Sequence, residues 1–274
     1  MIAVMFPGQG AQSVGMGLEL AESYAVARET FEEADDTLGY PLSDVCFDGP
    51  ADRLTQTDVC QPALVATSIA AFRVAAAEGL VADVVLGHSL GEYSALVACG
   101  SLPFATAIAL VAERGAAMQD AGTATPGAMV ALIGLDDDDA EAMCAEVGDV
   151  WPANFNCPGQ VVASGHEEAV DRLIRLAGER GVKCARLAVS GAFHSPLMTP
   201  AAERLAPALD AWEPAEPDPG FLSTTTASPE GADRLRPVLL DQLTSPVRFG
   251  AAVAAALDDG ADCFVEVGPG KVLS

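Results

Sequence analysis

Apolar positions fall into two kinds of segment, short unbroken runs and longer stretches with helical spacing. Ile2–Phe6 is a short run that stops at Pro7-Gly8-Gln9-Gly10, which predicts a buried strand ending in a glycine loop. Leu18, Ala21, Tyr24, Phe31, Ala34 and Leu38 then keep helical spacing up to Gly39, which predicts one helix. Pro62 suits the start of another, with Val65, Ile69, Phe72 and Ala76 on one face and Gly79 at its end. Val84-Val85-Leu86 is the next strand and runs straight into Gly87-His88-Ser89-Leu90-Gly91. Strand, tight turn and helix in succession are α/β grammar.

The pattern changes near Thr123–Pro126. From there it predicts strand Ala128–Leu135, helix Asp136–Val147, strands Val150–Phe155 and Gln160–Ser164, helix Glu167–Gly181 and strand Lys183–Leu187. The acids Asp136–Asp139 suit the positive end of the first of these helices. This βαββαβ order predicts a ferredoxin-like small subdomain, residues 125–189, inserted into a larger α/β-hydrolase-like domain with a parallel sheet, residues 1–124 and 190–274. In the returning part, Ser195-Pro196 opens a helix bearing Leu205, Leu209 and Trp212, and Pro214–Pro219 is a linker. Helix Val247–Leu257 and strand Cys263–Val267 lead to Gly268-Pro269-Gly270, and no internal repeat is found.

Composition narrows the class. Half of the 274 residues are hydrophobic and mean hydropathy is +0.29, enough for a large core and incompatible with global disorder. The net charge of −25 repels phosphate backbones, which argues against nucleic acid as a partner. Seven cysteines, an odd number without a Cys-x-x-Cys pair, predict neither a disulfide framework nor a zinc site, but small core residues in a reducing compartment. Tyr93–Ala112 carries no charge, yet Gly100-Ser101-Leu102-Pro103 cuts it, so two buried helices are expected rather than a membrane span. The N-terminus has no basic region before its apolar run, so a signal peptide is not expected. The expectation is a soluble cytoplasmic protein, monomeric by default.

Gly87-His88-Ser89-Leu90-Gly91 is a G-x-S-x-G sequence placed between a strand and a helix. A sharp turn there lifts the serine oxygen above the sheet, and the two glycines remove side chains that would collide with neighbouring backbone. Ser89 is therefore the candidate nucleophile. Of three histidines, His88 adjoins Ser89 on the strand and is expected to pack on the other side, while His166 begins an exposed helix. His194, in Gly191-Ala192-Phe193-His194-Ser195-Pro196, is by elimination the candidate base. Arg114 stands in an otherwise apolar helix, where a charge is costly unless it is paired. A salt bridge to Glu113 or Asp120 is one way to pair it.

Six segments carry a resemblance through nearly the whole chain. They are Phe6–Gln12, Gly87–Tyr93, Arg114–Gln119, Asn154–Val162, Gly191–Ser195 and Glu266–Gly270, in that order. Together they resemble the malonyl-CoA:acyl carrier protein transacylases of type II fatty-acid synthesis and the related acyltransferase domains of polyketide synthases. The resemblance implies a Ser–His dyad, Ser89 and His194, with the imidazole held by a backbone carbonyl, expected at Arg248. It implies an oxyanion hole from the backbone N–H groups of Gln9 and Leu90, and Arg114 as the grip on the free carboxylate of malonate. Leu90 and Phe193 are similar to malonyl-selecting members. The implied chemistry is ping-pong transfer from malonyl-CoA to the phosphopantetheine thiol of acyl carrier protein, with no metal or cofactor.

Acyl carrier proteins are acidic, as is this chain. Arg172, Arg175, Arg180, Lys183 and Arg186 nevertheless form a local excess of positive charge against one acid, Glu179, and are expected to steer the carrier protein or the CoA phosphates. Only four residues follow Gly270, where relatives usually continue, so packing near the end is expected to be less complete. Two rival readings share the nucleophile. A serine hydrolase of acyl thioesters would place Asp or Glu behind His194, and a free-standing acyltransferase of a polyketide synthase would keep the chemistry and change the carrier protein.

Overall fold

β1 (Ile2–Phe6) leads through the glycine loop to α1 (Leu18–Ser23), α2 (Ala25–Leu38), α3 (Leu42–Asp48), α4 (Ala51–Leu54) and α5 (Thr57–Ala77) in the computed structural model. β2 (Val84–Gly87), α6 (Gly91–Ala98) and α7 (Phe104–Ala124) follow. Next come β3 (Gly127–Ile133), α8 (Asp137–Val147), β4 (Val150–Cys157), β5 (Gln160–His166), α9 (Glu167–Glu179) and β6 (Lys183–Arg186). A 3₁₀ turn at Pro196–Met198 precedes α10 (Thr199–Asp210), β7 (Gly220–Ser223), β8 (Ser228–Pro229), α11 (Ala232–Asp241), α12 (Phe249–Asp258) and β9 (Cys263–Glu266). The structure describes residues 1–189 and 191–274; Ser190, where the larger unit is expected to resume, lies outside the described residues.

The larger sheet has the order β8-β7-β2-β1-β9, with β7, β2, β1 and β9 parallel and only β8 antiparallel. β1 sits between two neighbours, and Ala3, Val4 and Phe6 are fully buried, which is why its sequence is an unbroken apolar run. α5 is the one described helix long and apolar enough to cross a membrane, and 72% of its apolar window is buried inside the molecule. It packs against α2 and α7 as a core helix. The uncharged stretch Tyr93–Ala112 is divided between α6 and α7, with Gly100 in a left-handed conformation at the turn (φ +75°).

The smaller sheet, β4-β5-β3-β6, is antiparallel throughout. Its residues alternate. Val130, Leu132, Val161 and Ala163 form a separate core with Val170 and Leu173 of α9, whereas Met129, Ala153 and Val162 join the core of the larger unit. Asp136 caps α8 by accepting from the Asp139 N–H at 2.9 Å. An isolated main-chain bridge ties β4 to the segment before α12: Phe155 N donates to Val247 O and Val247 N to Ala153 O, each at 2.8 Å.

Four differences from expectation have local causes. The helix predicted across Leu18–Leu38 breaks at Tyr24, which is extended (φ −130°, ψ 124°). α5 starts five residues before Pro62, which lies in its second turn; burial of Cys60–Ala70 outweighs the N–H that proline lacks. β7, with four residues, is too short to show a period, whereas α11 is absent from the sequence reading although its buried Leu235, Val238 and Leu239 keep helical spacing. Of the cysteines, Cys46, Cys60, Cys99 and Cys144 are buried as expected, but Cys157 and Cys263 are exposed.

Candidate active site

β2 ends directly beneath Ser89, whose backbone is left-handed (φ +52°), an unusual conformation for a residue with a side chain. The glycines on either side permit it. A Cβ on Gly87 would lie 2.0 Å from the Gly91 carbonyl carbon, and one on Gly91 would lie 2.1 Å from Phe6 O. Gly8 is held in the same way, since a Cβ there would meet His88 O at 2.4 Å. β1, its glycine loop and the start of α6 therefore touch backbone to backbone around Ser89.

His194 also has positive φ, +57°. Its loop is fixed by Ser195, whose hydroxyl donates to Ala192 O at 2.6 Å and accepts from Leu197 N at 3.3 Å. His194 Nε2 lies 2.8 Å from Ser89 Oγ, and Nδ1 lies 2.9 Å from the main-chain carbonyl of Gln242. A carbonyl only accepts, so Nδ1 carries the hydrogen and Nε2 is free to accept from the serine hydroxyl. Burial, and then the Arg114 cation, push the imidazole down to about 3, which keeps it neutral. This arrangement can take a proton from Ser89 and return it.

The carbonyl expected at Arg248 is a correction. Arg248 O accepts the first bond of α12, from Ala252 N at 3.0 Å, while its exposed guanidinium lies over the Phe155 ring at 5.5 Å. The carbonyl facing His194 comes from Gln242, just past α11, and the single sequence carries no signal for it.

Arg114 is 1% exposed, and Glu113 and Asp120 do not pair with it; both bind Arg204 at 2.6 Å. Its Nη1 donates to Gln61 Oε1 at 2.8 Å, and its Nη2 to Gln242 Oε1 at 2.9 Å and to Ser89 Oγ at 3.3 Å. Nε has no partner. A buried guanidinium thus rests beside the serine on neutral oxygens and over the Tyr93 ring, 5.7 Å from its centroid, with no carboxylate among its direct contacts in the described residues.

Ser89, His194, Arg114, Gln9, Leu90 and Phe193 all line one cavity of 160 Å³. His88 contributes to the same wall instead of packing wholly away from it, and its Nε2 meets Asn156 Oδ1 at 2.9 Å. His166 stands apart at the start of α9. The expected positive face is weaker than its sequence suggests, because Arg180 pairs with Glu146 and Arg186 with Asp171, both at 2.6 Å. Gln61, Gln242 and Glu92 were missed at the sequence level. Of these only Glu92 offered a signal, as a charge at the head of the otherwise apolar helix Gly91–Ala98.

Known proteins are similar to this chain over its whole length. The chain is 45% identical over 280 residues to the malonyl CoA-acyl carrier protein transacylase of Bacillus subtilis, covering 100% of this chain and 88% of that protein. The crystal structure of MCAT from Streptococcus pneumoniae matches with a TM-score of 0.96 at 40% identity, covering 100% of this chain and 90% of that one. A holo type II polyketide acyl-carrier protein in complex with its malonyl-transacylase matches with a TM-score of 0.95 at 42% identity, over 99% of this chain and 90% of that one. The family described as acyl transferase domain matches residues 4–274, so the serine, histidine and arginine gathered here sit in a chain that belongs to that family.

Proposed function

We propose that this protein transfers malonyl groups from malonyl-CoA to the phosphopantetheine thiol of acyl carrier protein. Ser89 Oγ attacks the thioester carbon while His194 Nε2 takes its proton. The tetrahedral oxyanion is held by the backbone N–H groups of Gln9 and Leu90, the carbon–sulfur bond breaks, and CoA leaves with the proton. The carrier-protein thiol then attacks the malonyl-serine ester, giving its proton to His194, and Ser89 leaves as the restored hydroxyl. Arg114 binds the free carboxylate of the malonyl group, with Leu90 and Phe193 shaping the acyl end.

One observation carries this reading: a buried arginine without a bound carboxylate, 3.3 Å from the nucleophile. A planar guanidinium suits a carboxylate-bearing acyl group and wastes its charge on a neutral one. The support on His194 argues against the serine hydrolase reading, which expects Asp or Glu where the Gln242 carbonyl stands. Service to a polyketide carrier protein stays open as a second reading because a 42%-identical relative is bound to one.

The strand orders support a finer description of the fold. The antiparallel order β4-β5-β3-β6 with α8 and α9 on one face suits a ferredoxin-like subdomain over 125–189, and the parallel sheet with its serine turn suits an α/β-hydrolase-like unit. The use of malonyl-CoA points to the cytoplasm.

Intact-protein mass after brief mixing with malonyl-CoA tests the proposal. A single malonyl adduct is expected, absent in Ser89→Ala and discharged by acyl carrier protein. No adduct, or turnover to free malonate without carrier protein, would reject it.

A further inference from the structure

A carboxylate three residues beyond Ser89 takes no part in the reaction described so far. Glu92 is fully buried in the first turn of α6. Its Oε1 accepts from Thr224 N at 2.5 Å and from the hydroxyls of Ser223 and Thr224 at 2.9 and 3.0 Å, and its Oε2 accepts from Gln242 Nε2. Each oxygen therefore meets an N–H, which can only donate, an arrangement that suits the ionised form. Burial holds the carboxyl pKa above its ordinary value, and these donors offset only part of that rise, so the case for the carboxylate rests on the donor geometry.

Gln242 joins this carboxylate to the site. Its Nε2 also donates to Ser89 O at 3.0 Å, its Oε1 accepts from Arg114 Nη2 at 2.9 Å, and its main-chain carbonyl meets His194 Nδ1 at 2.9 Å. Because Glu92 and Ser89 O both accept, the amide has one workable orientation, oxygen toward Arg114.

We propose that Glu92 is a positioning residue that serves as the counter-charge of Arg114 through Gln242, leaving the guanidinium open to the carboxylate of the substrate. A buried guanidinium needs a compensating charge, because isolated burial of an ion is costly. A direct ion pair would supply it but occupy the fork that grips the acyl group. Placing the carboxylate one amide away keeps the attraction in a low-dielectric interior while Arg114 still lines the cavity beside Ser89 with no carboxylate bound to it among the described residues. Burial lowers the guanidinium pKa, and Tyr93 and Glu92 pull it back up. The inference rests on the malonyl-transfer reading above.

The test compares wild type, Glu92→Gln and the paired swap Glu92→Gln/Gln242→Glu, with malonyl-CoA and acetyl-CoA as substrates. In the single variant the new amide presents hydrogens to Gln242, which turns and brings its own NH2 against Arg114. KM for malonyl-CoA is expected to rise about tenfold or more with kcat within about threefold, and the preference for malonyl over acetyl adducts to fall about tenfold. The swap restores a donor–acceptor match between positions 92 and 242 and sets a carboxylate directly on Arg114, at the cost of the N–H that Gln242 gives to Ser89 O. Its melting temperature is expected to recover toward wild type while KM for malonyl-CoA stays high. A wild-type KM and preference in the single variant, a loss confined to kcat, or an equal loss with both acyl-CoAs would overturn the proposal. So would failure of both variants to fold, since the pair would then serve only the fold. Absence of a malonyl adduct on the wild-type protein would instead reject the underlying transfer reading.

Discussion

Two side chains govern the chemistry at Ser89, and both are shaped by burial. His194 is held down to about 3, first by desolvation and next by Arg114, against an ordinary value of 6.5. The folded state therefore resists the proton that the unfolded chain accepts below 6.5, so stability from this residue is full above that pH and is lost as pH falls toward 3. The same shift predicts that kcat/KM for acylation stays flat from about pH 8 to about pH 5.5. Rapid-quench acylation across that range checks this, and an acid limb near 6.5 would contradict it. Arg114→Ala removes the second-largest of the depressing causes, so its acid limb should move upward. The same variant should lose malonyl acylation by about 100-fold while acetyl acylation is not reduced, since a charge-assisted grip is worth about 3 kcal/mol.

At the scale of elements, the serine turn depends on backbones in contact. Gly91→Ala would push a Cβ against Phe6 O and force α6 off β1, so denaturant unfolding should report a loss of about 3 kcal/mol or more, together with loss of the adduct. Gly178 in α9 is the counterexample. A Cβ there meets nothing within 4 Å, and Gly178→Ala should stabilise by about 0.5–1 kcal/mol in the same measurement. Identical glycine counts in two segments thus predict opposite outcomes, because one glycine makes room for backbone and the other merely costs helix entropy. The segment Pro246–Arg248 is an element in the same sense. It carries the bridge to β4 through Val247 and also binds Thr224 O through Arg248 N at 2.6 Å, so its backbone joins the small sheet to the serine turn.

At the scale of the molecule, a net charge of −25 sets the terms on which an acidic carrier protein approaches. With Arg180 and Arg186 engaged in ion pairs, Arg172, Arg175 and Lys183 are the cations on which steering would fall; Arg172 reaches only Gly148 O, at 3.4 Å. Arg172→Glu/Arg175→Glu should raise the apparent KM for carrier protein severalfold at low salt, with the difference vanishing in about 0.5 M salt. An unchanged KM at low salt would remove this face from consideration. Exposed ion pairs are weak, so the pairing reduces the field without cancelling it.

The chain by itself determined the alternation of strands and helices, the serine turn, the βαββαβ order of its middle part, and Ser89, His194 and Arg114 as candidates. Most of those rest on a local signal, an unbroken apolar run, a glycine spacing or a charge in an apolar helix, and His194 on elimination among three histidines. Only the tertiary structure decided what surrounds them. Gln242 lies 48 residues from His194 and 128 from Arg114, at the end of a helix without a functional motif, yet its backbone and side chain touch both. Arg248 lost its expected role because its carbonyl was already spent on starting a helix, and the Arg114 salt bridge was absent because Arg204 had taken both acids. Hydrogen-bond partners of buried polar groups are chosen by which elements pack together, and no spacing along one sequence records that choice.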